Sequence, residues 1–286
     1  MAKIAADIES HREGNLLRVG RAEGSSSHPV AVGDVVFGAH EFVVIAGPCA
    51  VETREQIEEA ARGVALHGGR VLRGGAFKPR TSPYSFQGLG LEGVELLRRA
   101  SLKAGLPFVT EVMSPADVGE LEARVDAFQV GTRNMHNFAL LEELGRQHKP
   151  VLLKRGFGAT LHEWLNAAEY IARGGNEAII LCERGIRSFG DQTRFVLDLA
   201  GAVWAKQHSV LPVIIDPSHA TGTRSLIAPL TLAAAAAGLD GVMVEVHPDP
   251  AVALSDADQA LTPDDFSAMM RALGPVCEAV GRGFHV

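Results

Sequence analysis

Eight short runs rich in β-branched residues recur along the chain and constrain its fold more than any other feature. They are Val43–Gly47 (VVIAG), Arg70–Gly74 (RVLRG), Pro107–Val112 (PFVTEV), Asp126–Gly131 (DAFQVG), Pro150–Lys154 (PVLLK), Ala178–Cys182 (AIILC), Pro212–Asp216 (PVIID) and Gly241–Val246 (GVMVEV). Their apolar residues are continuous rather than alternating, the pattern of parallel strands covered on both faces. Helix-period stretches separate them. Thr53 followed by Gln56 reads as a capping box; Ile57, Ala60, Ala61, Val64 and Ala65 then share one face, and Gly68-Gly69 ends the helix. Ser114-Pro115 and Thr262-Pro263 read as N-cap and N1 pairs, and the alanine-rich Leu230–Ala237 run as a helix packed closely on the sheet. Strand alternating with helix eight times over roughly 240 residues predicts an α/β fold, a single (β/α)8 TIM barrel spanning residues 41–286. A doubly wound open sheet loses ground because no GxGxxG follows the first run.

Residues 1–40 do not fit the repeat. Leu16–Arg21, the Gly24-Ser25-Ser26-Ser27 stretch and Val30–Phe37 (VAVGDVVF) suggest a loop and a short hairpin turning at Gly33-Asp34. This N-terminal extension is expected to cap the bottom of the barrel, and it is too short for a regulatory domain with its own core.

Composition narrows the function classes. With 47% hydrophobic and 21% charged residues, disorder and collagen-like repeats are excluded. The balance of 27 basic against 34 acidic residues, −7 overall, makes no electrostatic case for nucleic acid or an anionic membrane. Three cysteines, Cys49, Cys182 and Cys277, form an odd and sparse set that points to reduced thiols in a cytoplasm. No segment reaches the ~18–20 apolar residues of a membrane helix. The polar N-terminus lacks the apolar region of a signal peptide.

In a barrel of this kind the chemistry sits at the C-terminal strand ends. One subset there is cationic: Arg73, Lys78, Arg80, Arg133, Lys154 and Arg184, with Arg155 and Arg187 as weaker candidates. Cations converging inside an acidic chain call for anions, and guanidinium forks match phosphate and carboxylate oxygens, so one or two substrates carrying both groups are implied. The competing reading is structural ion pairing with Glu111, Glu183 or Asp216. The second subset is Cys49, His219, Glu245 and Asp256. Mixed sulfur, nitrogen and oxygen donors suit a borderline divalent ion such as Mn²⁺, Fe²⁺, Co²⁺ or Zn²⁺, although no short motif joins the four.

At these residues the sequence resembles the type I 3-deoxy-D-arabino-heptulosonate 7-phosphate (DAHP) synthases, in particular the type Iβ subgroup. That subgroup shares its barrel with the 3-deoxy-octulosonate 8-phosphate (KDO8P) synthases. The resemblance is carried by IAGPCAVE (45–52), VLRGGAFKPRTSPYSFQGLG (71–90), VGTRN (130–134), LLKRG (152–156), LCERGIR (181–187), DPSHATGTRSL (216–226), VEVHPDP (244–250) and ALSDADQAL (253–261), eight pieces in order from about Phe42 to near Met270. It implies a metal-dependent, aldol-like condensation of phosphoenolpyruvate with erythrose 4-phosphate, giving DAHP and phosphate at the entry to the shikimate pathway.

The implied roles are residue-specific. Arg73, Lys78, Arg133, Lys154 and Arg184 would hold phosphoenolpyruvate. Arg80, Thr81 and Ser82 would hold erythrose 4-phosphate. Cys49, His219, Glu245 and Asp256 would bind the divalent metal, Mn²⁺ foremost, and Lys78, Cys49 and His219 would be catalytic. From the chemistry of such a condensation rather than from the resemblance, Lys78 would supply a proton to the nascent alkoxide or stabilise its charge, and Glu111 and His247 would position the water. Cys182 and Cys277 are read as core thiols, and Trp164, Trp204 and the phenylalanines as packing.

The Lys78-Pro79-Arg80-Thr81-Ser82 stretch argues against the KDO8P branch, which usually shows Lys-Ala-Asn-Arg there. The loop at Asp256 reads SDADQAL where SDGPQSL is expected, and Asp258 becomes a competing ligand. Many relatives carry a ferredoxin-like or chorismate mutase domain before the barrel. Its absence here predicts a catalyst without intrinsic inhibition by aromatic amino acids, open to a regulatory protein in trans. A homodimer or homotetramer is implied. The alternatives are a KDO8P-like or secondary-metabolism enzyme using another aldose phosphate, and a catalytically dead barrel serving as a binding partner.

Overall fold

A computed structural model describes residues 16–22, 24–78, 82 and 84–284 of the chain. Among them, Val30–Val32 (β1) pairs antiparallel with Val35–Phe37 (β2), and eight parallel strands close into a barrel. The barrel strands are β3 (Val43–Gly47), β4 (Val71–Arg73), β5 (Phe108–Glu111), β6 (Ala127–Val130), β7 (Val151–Lys154), β8 (Ile179–Glu183), β9 (Val213–Ile215) and β10 (Gly241–Glu245). They follow chain order around the ring, and β10 pairs with β3 from Gly241↔Val43 to Glu245↔Gly47. All eight anticipated runs are strands: Val43–Gly47 matches in full, Ala178–Cys182 shifts by one residue to Ile179–Glu183, and the other six are trimmed at one or both ends. Gly47 is required where β3 leaves the barrel: its φ is +148°, and a Cβ there would lie 2.1 Å from the Arg73 carbonyl oxygen.

Successive strand side chains point to opposite faces, so one barrel builds two cores. Val44, Ala46, Leu72, Phe108, Phe128, Leu153, Leu181, Val213 and Val244 face outward into the shell of helices. Val43, Ile45, Val71, Val109, Ala127, Leu152, Ile180, Ile214 and Met243 face inward, in one cluster with Val30, Val32, Val35 and Phe37 of the hairpin. The hairpin therefore plugs the lower end of the barrel with apolar side chains and leaves the upper end to the chemistry.

The covering helices are α1 (Arg54–Leu66), α2 (Leu91–Ala104), α3 (Pro115–Glu122), α4 (Phe138–Arg146), α5 (Leu161–Arg173), α6 (Leu199–His208), α8 (Arg224–Ala236) and α9 (Pro263–Ala279), with α7 (Pro217–Thr221) inserted after β9. Ser114 and Thr262 cap α3 and α9 as expected. The box at Thr53 is incomplete. Thr53 accepts from the Gln56 N–H, but the longer Gln56 side chain reaches past the cap to the Ala50 carbonyl (3.1 Å) and the Glu52 N–H (3.3 Å). The reciprocal box forms instead at Thr160 and Glu163, opening α5. No helix among the described residues is long and apolar enough to cross a membrane.

Candidate active site

At the upper end of the barrel, one ligand atom from each of Cys49, His219, Glu245 and Asp256 lies within 4.8 Å of the others. The four arrive by different routes. Cys49 follows β3, His219 lies on α7 directly after β9, Glu245 ends β10, and Asp256 comes from the loop beyond it. Asp256 is the one non-glycine described with positive φ (+55°), held there as its Oδ2 accepts from Cys49 Sγ at 2.9 Å and Ser255 Oγ at 3.0 Å. Asp258, the competing candidate, is not in the group and lines a neighbouring groove.

Buried partners orient these donors. Asp216 caps α7 by accepting the His219 N–H at 2.9 Å and also takes His219 Nδ1 at 2.7 Å. That fixes the proton on Nδ1 and leaves the lone pair of Nε2, 3.1 Å from Glu245 Oε1, as the electron pair available to an ion. Glu245 Oε1 accepts from Arg73 at 2.9 Å and its Oε2 from Gln259 at 2.6 Å. Lys78 Nζ donates to both the sulfur and the carbonyl oxygen of Cys49 at 2.9 Å.

Charge states follow from these contacts. Burial, reinforced by Glu245, pushes the Cys49 thiol up to about 12. Burial presses His219 below its ordinary value, so the ring is neutral at pH 7. For Glu245 burial acts upward, but His219 and Arg73 outweigh it and keep the carboxyl ionised. Asp256 also lies well below the usual carboxylate range, because the Cys49 hydrogen bond and nearby cations overcome its burial. Three neutral or anionic donors and one thiol that ionises on binding form a set fit for a borderline divalent ion.

Above this group opens a cavity of about 310 Å³. Arg73, Lys78, Arg133, Lys154 and Arg184, the five residues expected to hold phosphoenolpyruvate, all line it, with Ser82, His219 and Asp256. Arg80 and Thr81 lie outside the described residues. Both readings of the cations hold at once: Lys154 donates to buried Asp216, and Arg73 pairs with Glu245, yet each still faces the cavity. Neither Arg155 nor Arg187 lines the cavity: Arg155 donates to Glu183 at 3.2 Å and Asp198 at 2.8 Å, and Arg187 lies against the Phe157 ring.

Glu111 lines the cavity and His247 does not. Glu111 Oε2 accepts from Gln129 at 3.1 Å, while Oε1 is buried without a partner. Burial raises its pKa against the pull of Lys78 and Lys154. Gly131 makes room for it, since a Cβ there would sit 2.0 Å from Oε1. His247 lies apart, with Nε2 3.6 Å from Glu52 and Nδ1 accepting from the Asp249 N–H.

Cys182 and Cys277 are buried thiols and Trp164 is core. Phe157, read as packing, lines the cavity. Arg194 was not anticipated: it comes from the long loop after β8, lines the cavity and pairs with Asp256 at 3.3 Å. Gln129 was not anticipated either, although a lone amide within a buried strand was the signal that could have found it.

Residues 18–280 match the DAHP synthetase I family. A phospho-2-dehydro-3-deoxyheptonate aldolase of Thermotoga maritima is 48% identical over 252 residues, covering 88% of this chain and 75% of the relative. A 2-dehydro-3-deoxyphosphooctonate aldolase of Syntrophotalea carbinolica is 31% identical over 88% of this chain and 96% of its own length. The crystal structure of the Thermotoga maritima DAHP synthase superposes with a TM-score of 0.90 at 46% identity, over 93% of this chain and 78% of that one. A truncated form of the T. maritima synthase gives 0.88 at 42% identity, over 95% and 100%.

Proposed function

Because the chain belongs to the DAHP synthetase I family, we propose that its cavity condenses phosphoenolpyruvate with erythrose 4-phosphate, yielding DAHP and phosphate, and that the residues above divide the work. The observation that carries this is one arrangement: a four-donor group that shares its cavity with five lining cations. The higher identity to a heptonate than to an octonate enzyme favours the four-carbon aldose.

Arg133, Arg184 and Lys154 take the phosphate and carboxylate of phosphoenolpyruvate, with Arg73 and Lys78 completing the clamp. Arg80, Thr81 and Ser82 take the aldose phosphate. Cys49, His219, Glu245 and Asp256 hold a divalent ion, Mn²⁺ foremost, whose chemistry is to polarise an aldehyde oxygen. Lys78 keeps its proton at Nζ beside that group and gives it to the alkoxide formed when C3 of phosphoenolpyruvate attacks. Glu111, which lines the cavity and has its carboxyl pKa raised by burial, orients the water that captures C2 and accepts its proton. The tetrahedral intermediate then expels phosphate. Assembly into a dimer or tetramer belongs to this proposal and is checked by light scattering.

The test is incubation with both substrates, following loss of the enol absorbance with and without EDTA. Consumption that needs erythrose 4-phosphate and stops on chelation supports the reading; turnover indifferent to EDTA, or preference for a five-carbon aldose phosphate, would overturn it.

A further inference from the structure

Two kinds of cation meet in and around this cavity, Arg187 standing just outside its lining. Arg73 and Lys154 are fixed by the buried carboxylates of Glu245 and Asp216. Arg133, Arg184 and Arg187 join no ion pair among the described residues and lie against aromatic rings instead. Phe157 and Phe195 stack with centroids 4.9 Å apart and planes 17° from parallel. The Arg184 guanidinium carbon is 4.5 Å from the Phe195 centroid and 4.9 Å from that of Phe157. Arg133 lies 5.3 Å and Arg187 5.5 Å from the Phe157 centroid.

We propose that the stacked Phe157–Phe195 pair is the positioning element of the phosphate subsite, fixing the guanidinium faces of Arg133 and Arg184 while leaving their charge uncancelled. The inference rests on the assignment of those two arginines to phosphoenolpyruvate. A carboxylate would fix a guanidinium equally well but would neutralise it. A ring attracts it through its quadrupole and occupies only its face, so the N–H donors at the edge stay free. Arg184 shows that state: Nη2 donates to the His219 carbonyl at 3.0 Å, while Nη1 is buried with no partner. A buried donor of this kind calls for an acceptor, and a phosphate oxygen supplies one. Burial lowers Arg184 only to about 10, so it stays cationic at neutral pH.

The backbone locks the rings. The Arg187 N–H donates to the Phe157 carbonyl at 2.8 Å, tying the loop after β8 to the loop after β7. The Phe195 N–H donates to the Ala220 carbonyl at 2.7 Å, one residue from His219. Gly185, at φ +93°, lets Phe195 approach, for a Cβ there would lie 2.7 Å from its Cβ. The stack thus registers the phosphate arginines against the metal-binding helix α7.

Phe195 does not line the cavity, so Phe195→Leu removes the ring without touching substrate. The expected result is a rise of about 5- to 20-fold in both KM and the calorimetric Kd for phosphoenolpyruvate. kcat should stay within about threefold, Mn²⁺ affinity should be unchanged, and Phe195→Tyr should restore binding. Phe157→Leu, which also alters the cavity wall, carries the same expectation for phosphoenolpyruvate and Mn²⁺ binding if Phe195→Leu does not fold. Leucine variants binding phosphoenolpyruvate within twofold of the parent would overturn the proposal, as would a loss shared equally by Mn²⁺. Arg184→Ala separates the two claims. If it too binds normally, the substrate assignment fails; if it binds weakly while the leucine variants bind normally, only the role of the rings fails.

Discussion

The ammonium of Lys78 sits 2.9 Å from the sulfur of Cys49 and 2.9 Å from the carbonyl oxygen of the same residue. Even with that cation alongside, burial holds the thiol protonated, up to about 12. A proton must therefore leave Cys49 when a metal ligates the sulfur. Because the folded-state pKa is raised, the proton competes across the whole range below it, and apparent metal affinity should climb about tenfold per pH unit between pH 6.5 and 8.5. Calorimetry in buffers of different ionisation enthalpy should detect close to one proton released per Mn²⁺ at pH 7.5. Cys49→Ala should abolish that release and lower turnover by more than about 100-fold.

Asp216 should matter to metal binding without touching the ion. In Asp216→Asn the His219 ring loses its anionic partner and Lys154 loses its counter-ion. Metal affinity should fall about 10- to 100-fold. The uncompensated buried Lys154 should cost about 3–5 kcal/mol of stability. Metal titration and chemical denaturation measure the two effects separately.

Asp256 and Asp258 should differ sharply. Asp256→Asn removes a member of the four-donor group and should weaken metal binding by at least about tenfold. Asp258→Asn should leave it within twofold, since Asp258 faces the adjoining groove. Equal effects in parallel titrations would reassign the fourth ligand.

Phe37→Ala tests the plug at the lower end. The ring is fully buried among Ile45, Val71, Ile214 and Met243. Removing it should destabilise the protein by about 3–5 kcal/mol. KM for either substrate should be unchanged well below the melting temperature, as thermal unfolding and steady-state assays would show.

The fold was largely legible because a parallel strand covered on both faces has to be apolar throughout, and those eight runs are. The hairpin was legible too, since Gly33-Asp34 divides two alternating runs. Gln56 misled because capping-box spacing does not say where a long amide will reach. For the site, residues at strand ends could be placed by counting; Arg73, Lys154 and Glu245 needed nothing more. Arg194 could not, because it lies eleven residues past β8 on a loop whose return is set by backbone bonds such as Ile186 to Val196. Asp216 was visible as a strand-end acid, but its double hold on His219 depends on α7, which is too short to leave a helical period. The Phe157–Phe195 stack was invisible for a related reason: its two rings come from different loops.

The hairpin that fills the floor of the barrel also dictates traffic. With the bottom stoppered by Val30, Val32, Val35 and Phe37, both reactants must enter, and both products leave, through a single doorway. Whatever rests deepest is the last to depart, and an exiting phosphate must pass the same arginines that greet the next arrival.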